Sequence, residues 1–117
     1  MKIQFEFDKH RFTATFENSA AARELSKMLP LAITVEDYDR NEKIAYLPSK
    51  LPDDGSARFK NERPGDICYY APWGNLVLYY ADYNYSNGLI RLGRLDDGIE
   101  PLFTRGKFPL HIQLLSK

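Results

Sequence analysis

Hydrophobic residues recur at a spacing of two along almost all of this chain, and at helical spacing in one short stretch only. That contrast restricts the fold to a strand-built body with a single helix, because a side-chain period of two belongs to strands and 3.6 to helices. Ile3, Phe5 and Phe7 share one face of a first strand, opposite Gln4, Glu6 and Asp8. After a turn at Lys9 and His10, Phe12, Ala14 and Phe16 repeat the pattern, so residues 3–16 read as a hairpin whose phenylalanines seek one core. The period then changes. Asn18 or Ser19 offers a side-chain cap, and Ala21, Ala22, Leu25, Met28 and Leu29 follow at helical spacing. Arg23, Glu24 and Lys27 are left for solvent. Pro30 disfavours helical geometry at Leu29, so the helix spans 19–29.

Strand signals fill the remainder. Leu31, Ile33 and Val35 alternate with Ala32, Thr34 and Glu36, and a polar stretch at 37–42 leads to a strand at 43–47. Residues 48–65 hold Pro48, Pro52, Pro64, Gly55 and Gly65 among mixed charges, a loop long enough to suggest a functional or mobile segment. Further strands are expected at 66–71, 75–81, 89–95 and 108–115, with a weaker one at 99–103 interrupted by Pro101. Turn residues separate them: Pro72-Trp73-Gly74-Asn75, Asn87-Gly88 and Asp97-Gly98. Short strands, regular turns and one helix imply a mainly β fold, a closed or nearly closed barrel with one capping α-helix. At 117 residues the chain reads as one domain, 1–117.

Sixteen basic residues balance sixteen acidic ones, so no bulk field draws the protein to nucleic acid or anionic lipid. The alternating start, MKIQFEFDKH, fits neither a signal peptide nor a membrane span, and the cytoplasm is the default compartment. Cys68 lies in an apolar strand and is expected to be a buried, inert thiol. His10 falls in a hairpin turn and is expected to be exposed; His111 sits in the last strand. The carboxylates of Asp53-Asp54, Asp96-Asp97 and Glu36-Asp37-Asp39 read as solvated turn residues. No metal ligand set, phosphate loop, CxxC pair or nucleophile elbow occurs, so no metal, cofactor or catalytic residue is assigned.

The informative stretch is 69–85, which holds Tyr69, Tyr70, Tyr79, Tyr80, Tyr83, Tyr85 and the only tryptophan, Trp73. Both faces of these strands are apolar or aromatic, as in a wall packed by core inside and by a loop or helix outside. Core and rim packing is one reading of the aromatics. The other is an aromatic-lined cleft for a peptide or small ligand, with Tyr46, Phe59, Tyr70, Trp73, Tyr80 and Tyr83 as candidate binding residues and the 48–65 loop as its cover. No lysine or arginine is interleaved between 66 and 88, which argues against a nucleic-acid stacking platform. Trp73 in a turn is either a plug folded back over the barrel or a binding residue.

The run Asn41-Glu42-Lys43-Ile44-Ala45-Tyr46-Leu47-Pro48, then Pro64-Gly65-Asp66-Ile67 and Tyr70-Ala71-Pro72-Trp73-Gly74-Asn75-Leu76, resembles the small bacterial cyclophilin-like domain family. Tyr85-Ser86, Gly88-Leu89-Ile90, Leu92-Gly93-Arg94 and Gly98 extend the similarity over nearly the whole chain from Ser19. The resemblance implies a closed cyclophilin-like barrel with helical capping, in a family whose biochemical role is largely undefined. Cyclophilins that catalyse prolyl isomerisation set an arginine beside an apolar proline pocket; Arg58-Phe59 is the nearest pairing here, with no glutamine after it. Arg91 and Arg94, three apart on one strand, are expected on opposite faces. The expectation is a binding module for a peptide or small ligand. A weak or divergent prolyl isomerase and an interaction or oligomerisation domain are the alternatives.

Overall fold

A computed structural model describes residues 1–53 and 58–117. Eight strands run antiparallel to their neighbours: β1 (Lys2–Phe7), β2 (His10–Phe16), β3 (Leu31–Tyr38), β4 (Glu42–Tyr46), β5 (Asp66–Tyr70), β6 (Asn75–Tyr79), β7 (Leu89–Leu95) and β8 (Lys107–Ser116). They close in the order β1-β2-β7-β5-β6-β4-β3-β8, with β8 returning to β1, so the expected closed barrel is what forms. Closure leaves no strand edge unpaired. Among the described residues, no helix is long and apolar enough to cross a membrane.

The hairpin forms as its alternation requires, with Phe5 opposite Phe12 and Ile3 opposite Ala14. Phe5, Phe7, Phe12 and Phe16 meet in the interior, and Phe5 stacks on Phe12 at 5.6 Å. The helix α1 (Ala20–Met28) starts where Ser19 Oγ accepts from the Ala22 N–H at 3.2 Å, the bond a cap supplies to a free donor. Its Ala21, Ala22 and Leu25 are buried in the same core cluster as the barrel interior. Leu29 is already extended at the helix end, ahead of Pro30.

Three local expectations are corrected. Residues 99–103 do not make a strand: Glu100–Phe103 form a turn of 3-10 helix, with Pro101 near its start, where the fixed φ of proline suits a helix and its missing N–H costs nothing. His10 is not fully exposed; it is partly covered, its Nε2 2.8 Å from Thr104 Oγ1. Of the carboxylates read as solvated, Asp37 and Asp96 are engaged. Asp96 accepts from Lys2, Thr13 and Thr15 at 2.8, 2.5 and 2.6 Å. Asp54, also on that roster, lies outside the described residues.

Asp37 anchors a charged group buried in the barrel. Lys43 is fully buried, and its Nζ donates to both Asp37 oxygens at 3.1 Å and to the Thr104 carbonyl at 2.6 Å. The Phe7 and Tyr80 rings flank the ammonium at 5.4 and 5.9 Å. Tyr80 donates its hydroxyl to Asp37 at 2.9 Å and accepts from Arg105 at 2.7 Å. Burial works against ionisation of Asp37, but the Gly106 N–H, Lys43 and Tyr80 outweigh it and hold the carboxyl below its usual range.

Candidate functional site

The outer faces of β4, β6 and β5 form the aromatic wall that the tyrosine-rich sequence foreshadows. Alternation sends Leu76 and Leu78 inward and Asn75, Val77 and Tyr79 outward. Glu42 is paired with Tyr79, and Tyr70 with Asn75, so residues of three strands share the outer surface. A second buried cluster of Cys68, Val77, Tyr79, Tyr83 and Leu89 covers part of it, with Phe59, Tyr70 and Tyr85 packed at its margin. The Cys68 thiol is fully buried and pushed above its ordinary pKa by that burial, as an inert thiol should be.

Where that cover ends, a cavity of about 190 Å³ opens, lined by Tyr38, Glu42, Tyr70, Trp73, Asn75, Val77, Tyr79 and Ser86. Trp73 is not a plug. It is 47% exposed, held in the β5–β6 turn by its N–H to the Tyr70 carbonyl and by Gly74 at φ +73°, a conformation that suits glycine. Its ring meets Tyr38 at 5.3 Å and 79°, and Tyr70 at 5.4 Å and 80°. These are edge-to-face contacts that fix three rings around one opening.

Two polar groups in this lining lack partners. Asn75 is 1% exposed; its Nδ2 donates to the Leu76 carbonyl, while Oδ1 accepts from nothing among the described residues. Native folds satisfy nearly all such buried atoms, so an orphan beside a cavity marks a place where a donor belongs. Asn41 Oδ1 is similarly unpartnered but is not part of this lining. Glu42 has neither a hydrogen bond nor an ion pair from its side chain among the described residues. Burial, reinforced by the charge of Asp39, pushes its carboxyl up to about 7.

The expected binding residues separate in space. Tyr70 and Trp73 line the cavity together. Tyr83 lies beneath it, stacked on Tyr79 at 3.5 Å and 4°, with its hydroxyl donating to buried Asp66 at 2.7 Å. Phe59 packs against Tyr85 and under Arg91, 4.5 Å from the guanidinium. Tyr46, 52% exposed, lines a different depression with Ile33, Thr34, Glu36 and Lys107. Tyr80 belongs to the Lys43–Asp37 network. No described residue of 48–65 lines the cavity; Leu51 instead tucks into the core, its N–H donating to the Tyr69 hydroxyl. Ser86, from the segment after β6, contributes to the rim instead.

Arg91 and Arg94 are not on opposite faces. The β5–β7 register shifts between Ile67 and Cys68, which pair with Gly93 and Arg91, so Leu92 is an extra residue in the ladder. The bulge resets the alternation, and both arginines reach Asp66, Arg94 Nε at 2.6 Å and Arg91 Nη1 at 3.5 Å. Tyr38, Glu42, Asn75, Val77, Tyr79 and Ser86 were missed as site residues. The alternation Asn75-Val77-Tyr79 is visible in the sequence as one strand face; the neighbours it acquires from β3 and β4 are not.

A family model described as the cyclophilin-like family matches residues 5–113. The solution structure of a hypothetical protein from the archaeon Archaeoglobus fulgidus superposes with a TM-score of 0.66 at 12% identity, covering 97% of this chain and 93% of that one. That likeness concerns the fold. No curated protein matches the chain. The match over nearly its full length, on a closed eight-stranded barrel with one helix, shows that the chain belongs to the cyclophilin-like family.

Proposed function

We propose that the protein is a binding module that takes a small ligand, or one side chain of a peptide, into the outer-wall cavity. The observation that carries this reading is the buried, unpartnered Oδ1 of Asn75 in a lining otherwise made largely of aromatic rings. Aromatic walls with a few placed polar groups are the usual composition of ligand sites. At about 190 Å³ the cavity is smaller than the ~300–1,000 Å³ of pockets that engulf drug-sized molecules, so it suits a headgroup or a single residue. Larger depressions of about 260, 390 and 400 Å³ lie elsewhere, but among the described residues none of them has a buried unpartnered polar atom in its lining.

A prolyl isomerase would call for an arginine beside the cleft. The described lining contains none, and Arg91 and Arg94 are committed to Asp66. Binding without catalysis is the better-supported reading. Trp73 is the only indole, so its emission reports on the cavity directly. A screen of dipeptides and small metabolites should find compounds that shift this emission saturably, and Asn75→Leu should abolish the response while the protein stays folded. If no compound shifts it, the reading is wrong.

A further inference from the structure

Resting on that reading, the cavity's chemistry narrows the occupant further. We propose that it is a cage for a substituted ammonium group, with the Tyr38, Tyr70 and Trp73 rings around the cation and the Glu42 carboxylate as its counter-charge. Aromatic faces attract cations through the ring quadrupole, Trp most strongly, by ~0.5–2 kcal/mol according to desolvation. Two tyrosines set at 79° and 80° to one indole give walls in more than one plane, which suits a compact, roughly spherical group better than a flat one.

The carboxyl supplies the sign. Among the described residues, Glu42 is the only acidic one in the lining, and neither lysine nor arginine lines the cavity to neutralise it. A partly buried carboxylate lacking a counter-ion is costly to keep charged, and a bound cation relieves that cost. The charge that acts on it is that of another carboxylate, Asp39, which strengthens the demand for a cation. Asn75, in the same lining, carries an unpartnered amide oxygen that can accept from an N–H or O–H of the occupant. A neutral apolar ligand would leave both groups unmet, and an anion would be repelled.

The test is a titration of Trp73 emission at about pH 8, where the Glu42 carboxyl is ionised, with three compounds of nearly one shape. These are protonated N,N-dimethylethanolamine, choline and the uncharged 3,3-dimethylbutan-1-ol. Both cations should bind at least tenfold more tightly than the alcohol, and Glu42→Gln and Trp73→Ala should each remove most of that preference. Trp73→Ala is followed by competition against a labelled cation, and Trp73→Phe, which keeps an aromatic face, should restore part of the affinity. A peptide bearing dimethyl-lysine, run beside the free amines, shows whether the group is presented by a polypeptide or a small molecule. Equal affinity for the alcohol, silence from every cation, or a preference that survives Glu42→Gln overturns the cage. Neutral compounds from the wider screen that bind under those conditions would leave the cavity a ligand site and sink only the cation assignment.

Discussion

Glu42 and Tyr79 stand directly opposite each other on β4 and β6, so a carboxyl and a phenol share one patch of the outer wall. The charge of Glu42 makes ionisation of Tyr79 harder. Tyr79 is held above its ordinary pKa by burial and then by Glu42.

The pH dependence of stability should carry this signature. Burial raises the Glu42 pKa from 4.5 to about 7, so between those values the native state binds more protons than the unfolded chain. Its contribution to stability is therefore greatest below the unfolded value and is lost as pH rises through about 7. Among the described residues, Asp39, Tyr38, Tyr79, Tyr70 and Cys68 are titratable groups around it, and none of these carries positive charge. Urea midpoints for Glu42→Gln should exceed those of the wild type at pH 8 and converge with them near pH 4. Asp96 acts with the opposite sign. Burial opposes its ionisation, but Lys2, Thr13 and Thr15 prevail and hold it at about 2, so its contribution is lost as pH falls toward that value.

Asp37→Asn should be among the most damaging substitutions. It strands the Lys43 ammonium inside the barrel, and removing one partner of a buried pair costs ~3–5 kcal/mol. Chemical denaturation checks the loss. A double variant, Asp37→Asn with Lys43→Met, should recover part of it, because no buried charge is then left alone.

Leu25→Ala on the helix removes a side chain with no exposed surface and should cost ~2–5 kcal/mol by lost transfer energy plus a cavity. A thermal melt unchanged by it would mean that the helix does not pack on the barrel.

Gly93→Ala tests the bulge. A Cβ there would lie 2.1 Å from the Thr15 carbonyl oxygen and 2.7 Å from the Phe16 Cα, both backbone atoms of β2. The strands must part, so a cost of at least ~1–3 kcal/mol is expected. Gly65→Ala meets only Ile99 Cγ2 at 3.7 Å, though at positive φ, and should be milder.

The barrel and its helix were legible because period-two and period-3.6 patterns are local and the caps sit where the pattern changes. The bulge at Leu92 was not, since nothing local distinguishes an inserted residue from a continuing strand, and both arginines were misplaced as a result. The site was half legible for a related reason. Tyr79 and Tyr80 are adjacent aromatics, so the pattern alone does not say which faces out. Tyr80 turned inward to Asp37, and Tyr79 took the outer wall. Tyr70 and Trp73 are neighbours through one tight turn and were identified together. Tyr38 meets Glu42 across the local β3–β4 hairpin, but the two reach the β5–β6 residues only through the β4–β6 pairing, which is long-range.

The most direct test of the outer-wall cavity as a binding site is an NMR chemical-shift map of the labelled protein against any compound that alters Trp73 emission. The account predicts that the Asn75 side-chain amide and the Trp73 indole N–H shift together, saturably and with one dissociation constant, while the backbone amides around Lys43 and Asp37 stay still. Shifts centred on the Tyr46 depression or on the Lys43–Asp37 network, with Asn75 unmoved, would contradict it.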